Sequence, residues 1–302
     1  MPSSDADAVA RVRDALAVHP DTRALADARI ERLPGGVVGR GWRATWRGQR
    51  WFVRLDDHDR RSLGADPDSE ARLLQLASDL GIAPRLVACV PAARLLVTEY
   101  IEGRAWSEAA FADPAALRHL GELLARLHAA PIDPVVRRLD FATQARMLEA
   151  QVEVIGDARL DPLRRTAERA WQRLASTSLA PRSVPCHNDL HPRNVVEDVR
   201  QAWLVDWEYG GLGDPLFDLA PVYERIGKCK PLFDAFGEGY GTAWDRLAPQ
   251  MEDACWTYNY VQWLWYRAFV GTAGVTATGV KRALERLSDR LDAVPVEAQS
   301  TR

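Results

Sequence analysis

Three oxygen-bearing side chains follow one another in the middle of the chain. Asn194 comes five positions after Asp189, and a second acid, Asp206, comes twelve positions after Asn194. Carboxylate and amide oxygens are the hard ligands that Mg²⁺ prefers, and few are needed because the ion keeps waters and substrate phosphates. A carboxylate can also orient a hydroxyl and accept its proton. The spacing therefore predicts phosphoryl transfer, with Asp189 as catalytic base and Asn194 and Asp206 as magnesium ligands.

The same segment permits a second interpretation. His187, Asp189 and His191 lie at positions i, i+2 and i+4, so in an extended segment their side chains share one face. That set could bind zinc or iron in a hydrolase. It leaves Asn194 and Asp206 without a role, and we therefore expect the ring of His187 to brace the loop instead.

Two features nearer the N-terminus suit phosphate binding. Gly35 and Gly36 begin a glycine-rich segment whose N–H groups can approach phosphates, although a plain hairpin turn has the same composition. Arg54 lies in an apolar strand-like run, where a buried cation needs an acidic partner, and Glu70 on the next predicted helix is the candidate. In kinases such a pair holds the α- and β-phosphates, whereas a solvent-exposed Arg54 at a strand edge is the alternative.

Aromatic residues are concentrated near the C-terminal end. Six fall within eleven positions: Trp256, Tyr258, Tyr260, Trp263, Trp265 and Tyr266. On a helix, Trp256, Tyr260 and Trp263 share one face. Aromatic faces bind quaternary ammonium groups, so this face either lines a substrate pocket or packs in the core.

The residues that follow Asp206 could complete the site. Trp207 and Glu208 could give a substrate pocket an aromatic wall and a negative charge. Asp218 begins a helix-like run after a loop. Its carboxylate could accept hydrogen bonds from the backbone of the loop that holds Asp189, and it could equally be an ordinary N-cap.

Hydrophobic periodicity divides the chain into a strand-rich part and a helical part. It predicts strands at 42–46, 51–55, 84–89 and 95–100, a turn at 47–50, helices at 5–18 and 69–80, and a surface loop at 56–68. Asp113-Pro114 and Asp161-Pro162 each combine an N-cap aspartate with proline at the first helical position. Beyond a hinge near 98–103 we expect helices, apart from β-like pieces near 184–207. These elements predict an α+β fold with an N-terminal nucleotide-binding lobe (residues 1–100) and a C-terminal catalytic and substrate-binding lobe (residues 101–302).

Composition excludes several classes of protein. The chain has 302 residues, a formal net charge of −3 and four cysteines, and no basic block indicates nucleic-acid binding. The N-terminus lacks the features of a signal peptide, and no apolar run reaches the roughly 18 residues of a membrane span. The cysteines form no Cys-x-x-Cys pair, so we expect reduced thiols in a cytoplasmic protein. The number of subunits is left open.

Taken together, these motifs resemble the choline/ethanolamine kinase and aminoglycoside phosphotransferase superfamily. The strongest match is His187-Asn188-Asp189-Leu190-His191-Pro192-x-Asn194, followed by Asp206-Trp207-Glu208-Tyr209 and Asp214-Pro215-x-x-Asp218. Looser matches occur in order at Gly35-Gly36, Arg54, Glu70 and Glu99-Tyr100-Ile101-Glu102-Gly103. The resemblance covers roughly residues 30–270.

The resemblance implies a protein-kinase-like bilobal fold and transfer of the ATP γ-phosphate to a small-molecule hydroxyl, with adenine near the backbone of Glu99, Tyr100 and Ile101. The form of the second motif is most similar to that of bacterial choline kinases, and thiamine kinases are similar, so choline, then ethanolamine or thiamine, is the implied acceptor. The quaternary nitrogen of choline or thiamine suits the aromatic cluster. Arg54 takes the place of a lysine, and Arg193 stands where many relatives have a small residue. An aminoglycoside phosphotransferase and a non-catalytic nucleotide-binding pseudokinase are the alternatives.

Overall fold

The computed structural model describes residues 5–34, 40–56, 64–131, 133–176, 183–227, 229–241 and 243–268, with a few positions between 281 and 289. Gly35, Gly36 and most of the predicted surface loop lie outside the described residues. An antiparallel sheet in the N-terminal part is followed by a mostly helical C-terminal part. The predicted α+β class is confirmed.

The N-terminal sheet has five strands in the order β1-β2-β3-β5-β4. They are β1 (Arg29–Arg32), β2 (Arg40–Trp46), β3 (Gln49–Leu55), β4 (Leu86–Val90) and β5 (Leu95–Glu99). The turn between β2 and β3 consists of two residues, Arg47 and Gly48, with φ of 49° and 80°. Two positive φ values match the twist of a tight hairpin, so the turn is shorter than the predicted 47–50.

Two helices flank this sheet. The first, α1 (Asp5–Val18), occupies the predicted range, and its buried residues recur every four positions because one stripe packs on the sheet: Ala8, Val12 and Leu16. The second, α2 (Pro67–Asp79), carries Glu70. It begins two residues before the predicted start, because Asp66 caps it by accepting the Asp68 N–H at 3.2 Å.

The C-terminal part contains α3 (Pro114–His128), α4 (Phe141–Ile155), α5 (Leu160–Ser176), α6 (Leu216–Ile226), α7 (Lys230–Tyr240), α8 (Trp244–Leu247) and α9 (Met251–Ala268). Asp113 caps α3 as predicted and accepts the Ala115 N–H at 2.9 Å. The equivalent prediction for Asp161 is wrong, since α5 begins at Leu160 and Asp161 lies in its first turn. The preceding turn is made by Asp157, whose side chain accepts the Arg159 N–H at 3.0 Å.

Short strands interrupt the helices and position two loops. They are β6 (Arg104–Ala105), β7 (Val184–Cys186), β8 (Val195–Glu197), β9 (Ala202–Leu204) and β10 (Gly211–Gly213). β7 pairs with β10, and β8 pairs with both β6 and β9. The loop 187–194 joins β7 to β8, and the loop 205–210 joins β9 to β10, so the two loops start and end on neighbouring strands.

The two parts of the molecule share one core. The Leu204 N–H donates to Ile82 O at 2.9 Å, and Gln201 Nε2 donates to Gly81 O at 2.8 Å. Both bonds tie the end of α2 to the β8–β9 hairpin. The hydrophobic core of the helical part also continues into α2 and β5.

The four cysteines are free thiols, as the sequence predicts. In the described part of the chain, no helix combines the length and the apolar character needed to cross a membrane.

Helices α3 and α7 touch backbone to backbone. A Cβ on Gly121 would lie 2.5 Å from Phe236 O and 2.8 Å from Tyr240 N. We expect Gly121→Ala to lower the free energy of unfolding by about 3 kcal/mol, because the two backbones must separate. Urea unfolding measures the loss. The control is Gly48→Ala, which meets open space and costs only about 1 kcal/mol for its positive φ; equal losses for the two variants would contradict the prediction.

Candidate active site

The ring of His187 holds the loop 187–194 in shape. Its Nδ1 accepts the Asp189 N–H at 3.3 Å, which assigns the proton to Nε2, and Nε2 lies 2.9 Å from Val205 O. The side chain is fully buried and packs against Trp207, with 4.7 Å between ring centroids. The prediction that His187 braces the loop is confirmed.

Asp218 on α6 anchors the same loop. Its carboxylate oxygens accept the N–H groups of His187 and Asn188 at 2.8 and 2.6 Å, and His128 Nε2 lies 3.1 Å from Oδ2. Burial raises the pKa of Asp218, but the contacts with His128 and with His187, including the His187 N–H, together outweigh burial, so the pKa lies below its usual range. Of the two roles predicted for Asp218, the backbone contact is confirmed, and the helix cap lies at Pro215.

Asp189 and Asn194 meet across the loop. Asn194 Nδ2 donates to the backbone O of Asp189 at 2.9 Å and to its Oδ2 at 3.1 Å. Because the amide nitrogen makes both contacts, the amide oxygen remains as the ligand atom for a cation. Burial raises the pKa of Asp189 to about 6; the nearby charge of Asp206 also raises it, and His187 opposes the shift.

Asp206 and Asn188 have strained backbones, with φ of 65° and 63°. This left-handed region costs a non-glycine residue roughly 1–2 kcal/mol and is frequent at functional sites. Surrounding hydrogen bonds hold both loops: Val205 N–H donates to Asn194 O at 2.9 Å, and Asn188 Nδ2 donates to Tyr209 O at 3.1 Å. The Asp206 side chain is 43% exposed, so its carboxylate is open to solvent.

Arg54 joins the N-terminal sheet to these loops. Its Nη1 and Nη2 lie 2.7 and 2.6 Å from the two carboxylate oxygens of Glu70, and Nη1 lies 3.4 Å from Asp206 Oδ1. Nε is 3.4 Å from Asp56. Burial lowers the pKa of Arg54, but the charges of Glu70, Asp56 and Asp206 raise it well above its usual value. The predicted Arg54–Glu70 pair is confirmed, and the alternative of an exposed strand-edge arginine is wrong, because Arg54 is only 7% exposed.

The oxygens of Asn194 and Asp206 fit a hard divalent cation. An amide oxygen and an open carboxylate are the donor types that Mg²⁺ takes. Both residues are held by their neighbours, Asn194 by Asp189 and Asp206 by the 3.4 Å contact with Arg54. The residues present are therefore compatible with a magnesium site.

The structure does not assemble the alternative zinc or iron site. Both ring nitrogens of His187 are already engaged with the backbone, and His191 Nε2 lies 3.8 Å from Asp189 Oδ2. Among the described residues, the His, Cys and acidic side chains near enough to share a metal are a different, buried group: His128, Cys186 and Asp218. Asp218 there already serves the backbone of the loop.

The predicted hinge borders a cleft. Glu99 and Tyr100 line a cleft of about 240 Å³, together with Gly48, Gln49, Arg50, Trp51, Arg85 and Glu102. Ile101 follows in a turn in which its carbonyl accepts the Gly103 N–H at 3.0 Å. Gly35 and Gly36, predicted to approach the phosphates, lie outside the described residues.

The aromatic face selected from the sequence packs in the core. Trp256, Tyr260 and Trp263 are 5%, 0% and 2% exposed, and α9 packs there against α4 and α5. Trp207 and Glu208 are 1% and 5% exposed. Of the two roles open to the aromatic stripe, the structure shows core packing, and Trp207 packs in the core rather than forming a wall of the cleft.

The sequence-based choice passed over Tyr258, on another side of α9. Tyr258 is 9% exposed, and its ring packs edge-on against Phe217 with 5.6 Å between ring centroids. Burial raises the pKa of its hydroxyl, and so does the negative charge of Asp189. Asn259 beside it donates to Glu224 on α6. Helical periodicity separates Tyr258 from the predicted face. Tyr258 comes two positions after Trp256, and two helical steps turn a side chain by about 200°, so the two rings face different neighbours.

Comparison with known sequences identifies related proteins. A model of the phosphotransferase enzyme family matches residues 29–249 of the chain. Protein LicA of Haemophilus influenzae is 45% identical over 56 residues, which is 18% of this chain and 21% of that protein. The match thus spans about a fifth of LicA. Streptomycin 6-kinase of Streptomyces griseus is 34% identical over 119 residues, 38% of each chain.

Comparison with solved structures identifies the fold. A choline/ethanolamine kinase family protein from Mesorhizobium loti has a TM-score of 0.72 at 21% identity, over 93% of this chain and 94% of that chain. Choline kinase LicA from Streptococcus pneumoniae has a TM-score of 0.74 at 20% identity, over 87% and 93%. A LicA structure in complex with AMP has a TM-score of 0.71 at 21% identity, over 87% and 91%. The protein-kinase-like bilobal fold is confirmed.

The anchoring role of Asp218 can be tested by unfolding. We expect Asp218→Asn to lower the free energy of unfolding by about 3–5 kcal/mol, because the amide brings N–H groups against backbone N–H donors inside the core. The control is Asp234→Asn, which removes an exposed ion pair with Lys230 and costs less than about 1 kcal/mol. Urea unfolding of both variants measures the difference; a loss no greater than that of the control would refute the anchoring role.

Proposed function

The chain belongs to the phosphotransferase enzyme family, and from that premise we propose that it transfers the γ-phosphate of ATP to the hydroxyl of a small cationic alcohol. Choline is the first candidate acceptor, followed by ethanolamine and thiamine. One observation carries the proposal. Asn194 Nδ2 lies 3.1 Å from Asp189 Oδ2, the Val205 N–H donates to Asn194 O at 2.9 Å, and Asp206 Oδ1 lies 3.4 Å from Arg54 Nη1. The N-terminal sheet and the two loops therefore meet at one site.

We assign nucleotide binding to the N-terminal lobe, residues 1–100, and catalysis and acceptor binding to the C-terminal lobe, residues 101–302. Adenine would lie near the backbone of residues 99–101, of which Glu99 and Tyr100 border a cleft. Arg54 would hold phosphate oxygens, because its two-point contact with Glu70 fixes the plane of the guanidinium and its charge is permanent. The structural likeness to LicA solved with AMP supports nucleotide binding.

Asn194 and Asp206 would hold Mg²⁺ through an amide and a carboxylate oxygen. When bound, the ion neutralises charge on the phosphate oxygens. The chain itself keeps the two ligands in place, since Asp189 accepts from the Asn194 amide and Arg54 contacts the Asp206 carboxylate.

Asp189 would act as the base. With a pKa of about 6, its carboxylate is ionised at neutral pH and can accept the hydroxyl proton as the new oxygen–phosphorus bond forms. Its oxygen is oriented by the Asn194 amide at 3.1 Å. Base and metal ligand are therefore positioned by one hydrogen bond.

The surroundings of Asp189 suit a cationic acceptor. The negative charges of Asp189 and Glu224 both raise the pKa of the Tyr258 hydroxyl. The positive charge of Arg225 acts on the same hydroxyl in the opposite direction, and Glu108, 3.4 Å from the Arg225 Nε, partly balances that charge. Aromatic faces and a nearby negative charge hold quaternary ammonium groups. We therefore propose Tyr258, 9% exposed and under the influence of the Asp189 charge, as the acceptor contact in place of Trp256, Tyr260 and Trp263.

An aminoglycoside phosphotransferase is the second candidate. Streptomycin 6-kinase matches 119 residues of this chain, compared with 56 for LicA of Haemophilus influenzae. Aminoglycosides carry several amines and need an open acidic acceptor site. The influence of the Asp189 charge on an aromatic residue, Tyr258, favours a compact cation.

The proposed activity can be tested by ADP release. With ATP and Mg²⁺ we expect choline to stimulate ADP release most among choline, ethanolamine, thiamine and a panel of aminoglycosides. Asp189→Asn should lower kcat about 1,000-fold, because the hydroxyl loses its proton acceptor. The control is Asp234→Asn, which we expect to retain wild-type activity.

Stimulation by aminoglycosides alone would replace choline by the second candidate. Nucleotide binding without phosphate transfer to any acceptor would favour the non-catalytic pseudokinase. An Asp189→Asn variant with wild-type kcat would refute the assignment of the base.

The proposed acceptor contact can be tested with two tyrosines of α9. We expect Tyr258→Ala to raise the KM for choline about tenfold and to leave the KM for ATP unchanged, because a cation–π contact is lost. Tyr260→Phe is the control. The buried Tyr260 hydroxyl donates to Glu149 at 2.6 Å, so removing this hydroxyl should lower the free energy of unfolding and leave the KM for choline unchanged. A KM that rises only in the Tyr260 variant would move the contact to the other face.

A further inference from the structure

Arg137 lies in the segment between α3 and α4 and connects the start of α2 to the loop 205–210. Its guanidinium donates to three backbone carbonyls: Nε to Gly210 O at 3.0 Å, Nη1 to Gly64 O at 2.5 Å and Nη2 to Glu208 O at 3.4 Å. Glu208 and Gly210 belong to the loop 205–210, which also contains Asp206. Gly64 precedes α2, the helix that carries Glu70.

The backbone of Arg137 makes a second connection to α2. Its N–H donates to Ser69 Oγ at 2.9 Å, and Ser69 Oγ donates to Asp66 Oδ2 at 2.8 Å. Asp66, the cap of α2, in turn donates its N–H to Glu208 O at 3.4 Å. Ser69 is only 2% exposed, so this connection lies inside the protein. Side chain and backbone of Arg137 therefore tie the start of α2 to the loop 205–210.

A guanidinium is an unusual choice for this place. Burial lowers the pKa of Arg137, with the charges of Asp66 and Tyr209 opposing the shift. Its hydrogen bonds go to neutral carbonyls, which compensate desolvation less well than a carboxylate in direct contact. The planar fork of arginine, however, presents donors in several directions at once, and the ammonium of lysine does not reproduce that geometry.

We propose that Arg137 is a positioning residue that fixes the Arg54–Glu70 pair relative to Asp206. It acts on Glu70 through the start of α2, and on Asp206 through the carbonyls of Glu208 and Gly210. The inference rests on the proposed function, because it assumes that this pair serves the nucleotide phosphates and that Asp206 serves the metal. Residues that orient the ligands of a metal without binding it typically alter metal affinity or activity by about 10–100-fold.

The test compares Arg137→Lys and Arg137→Met with the same changes at Arg138. Arg138 is the adjacent residue, is exposed, and donates to Ser183 Oγ at 2.8 Å, so it controls for charge and for position in the chain. The measurements are kcat, the KM for the acceptor, ADP binding by calorimetry with and without Mg²⁺, and thermal unfolding.

We expect both Arg137 variants to lower kcat about 100-fold while the KM for the acceptor changes less than about twofold. The gain in ADP affinity on adding Mg²⁺ should fall about tenfold. Lysine should not rescue either quantity, because it keeps the charge and loses the fork. The Arg138 variants should match the wild type.

Two results would overturn the proposal. One is a folded Arg137→Lys variant with wild-type kcat and wild-type Mg²⁺ dependence of ADP binding. The other is a fall in kcat that follows lowered thermal stability while the Mg²⁺ dependence stays intact, which would make Arg137 a purely structural residue.

Ser69→Ala provides a milder variant should the Arg137 variants fail to fold. It removes one of the connections, so we expect a smaller loss of Mg²⁺-dependent ADP affinity, and an unchanged affinity would count against the proposal. If the wild type transferred phosphate to no acceptor, the proposed function would fail. The ADP-binding experiment would still decide the role of Arg137, because it requires no acceptor.

Discussion

The carboxylate of Asp218 accepts two successive backbone N–H groups, those of His187 and Asn188, inside the core. A buried charge is tolerated only when it is well hydrogen-bonded, so this contact permits one arrangement of the loop 187–194. That arrangement keeps Asn188 in its left-handed conformation and presents Asp189 and Asn194 to each other. Helix α6, which carries Asp218, thus fixes the loop that presents Asp189 and Asn194.

The packing of α3 against α7 also supports the carboxylate of Asp218. Gly121 lets the backbones of α3 and α7 come into contact, and this close approach places the Tyr240 hydroxyl 2.7 Å from His128 Nδ1. The other ring nitrogen of His128 lies 3.1 Å from Asp218. A small residue in a helix interface thus contributes to the geometry of the loop. Packing in the interior of the C-terminal part therefore supports the loop that carries the proposed base, Asp189.

Charge balance organises the junction between the two parts. Arg54 lies among Glu70, Asp56 and Asp206, so one cation faces three carboxylates at contact distances. Glu70 makes the closest, bidentate contact, and the 3.4 Å contact leaves Asp206 more open, as a proposed metal ligand requires. Arg137 adds a second connection between α2 and the loop 205–210, made through carbonyl oxygens rather than through charge. Together the two arginines hold β3 and α2 against the loop 205–210.

Sequence alone determined the features whose signal is local or carried by a motif. The amphipathic stripe of α1, the cap at Asp113 and four of the five strands of the N-terminal sheet follow from periodicity and propensity, whereas β1 (Arg29–Arg32) was not predicted. The spacing of Asp189, Asn194 and Asp206 was sufficient to predict the chemistry, because phosphoryl transfer requires few side chains in a set order. The pairing of Arg54 with Glu70 was also predictable, since a buried cation demands an acid. Tertiary structure decided the features that depend on which face of a helix is covered. The sequence pattern of α9 carries aromatic residues on more than one side. Only its packing against α4, α5 and α6 decides that Trp256, Tyr260 and Trp263 lie in the core, and that Tyr258, also buried, is the residue whose hydroxyl is influenced by the charge of Asp189. Arg137 gave no signal in the sequence, because its partners are backbone carbonyls, which every residue has, and only the fold brings those of Gly64, Glu208 and Gly210 to one guanidinium.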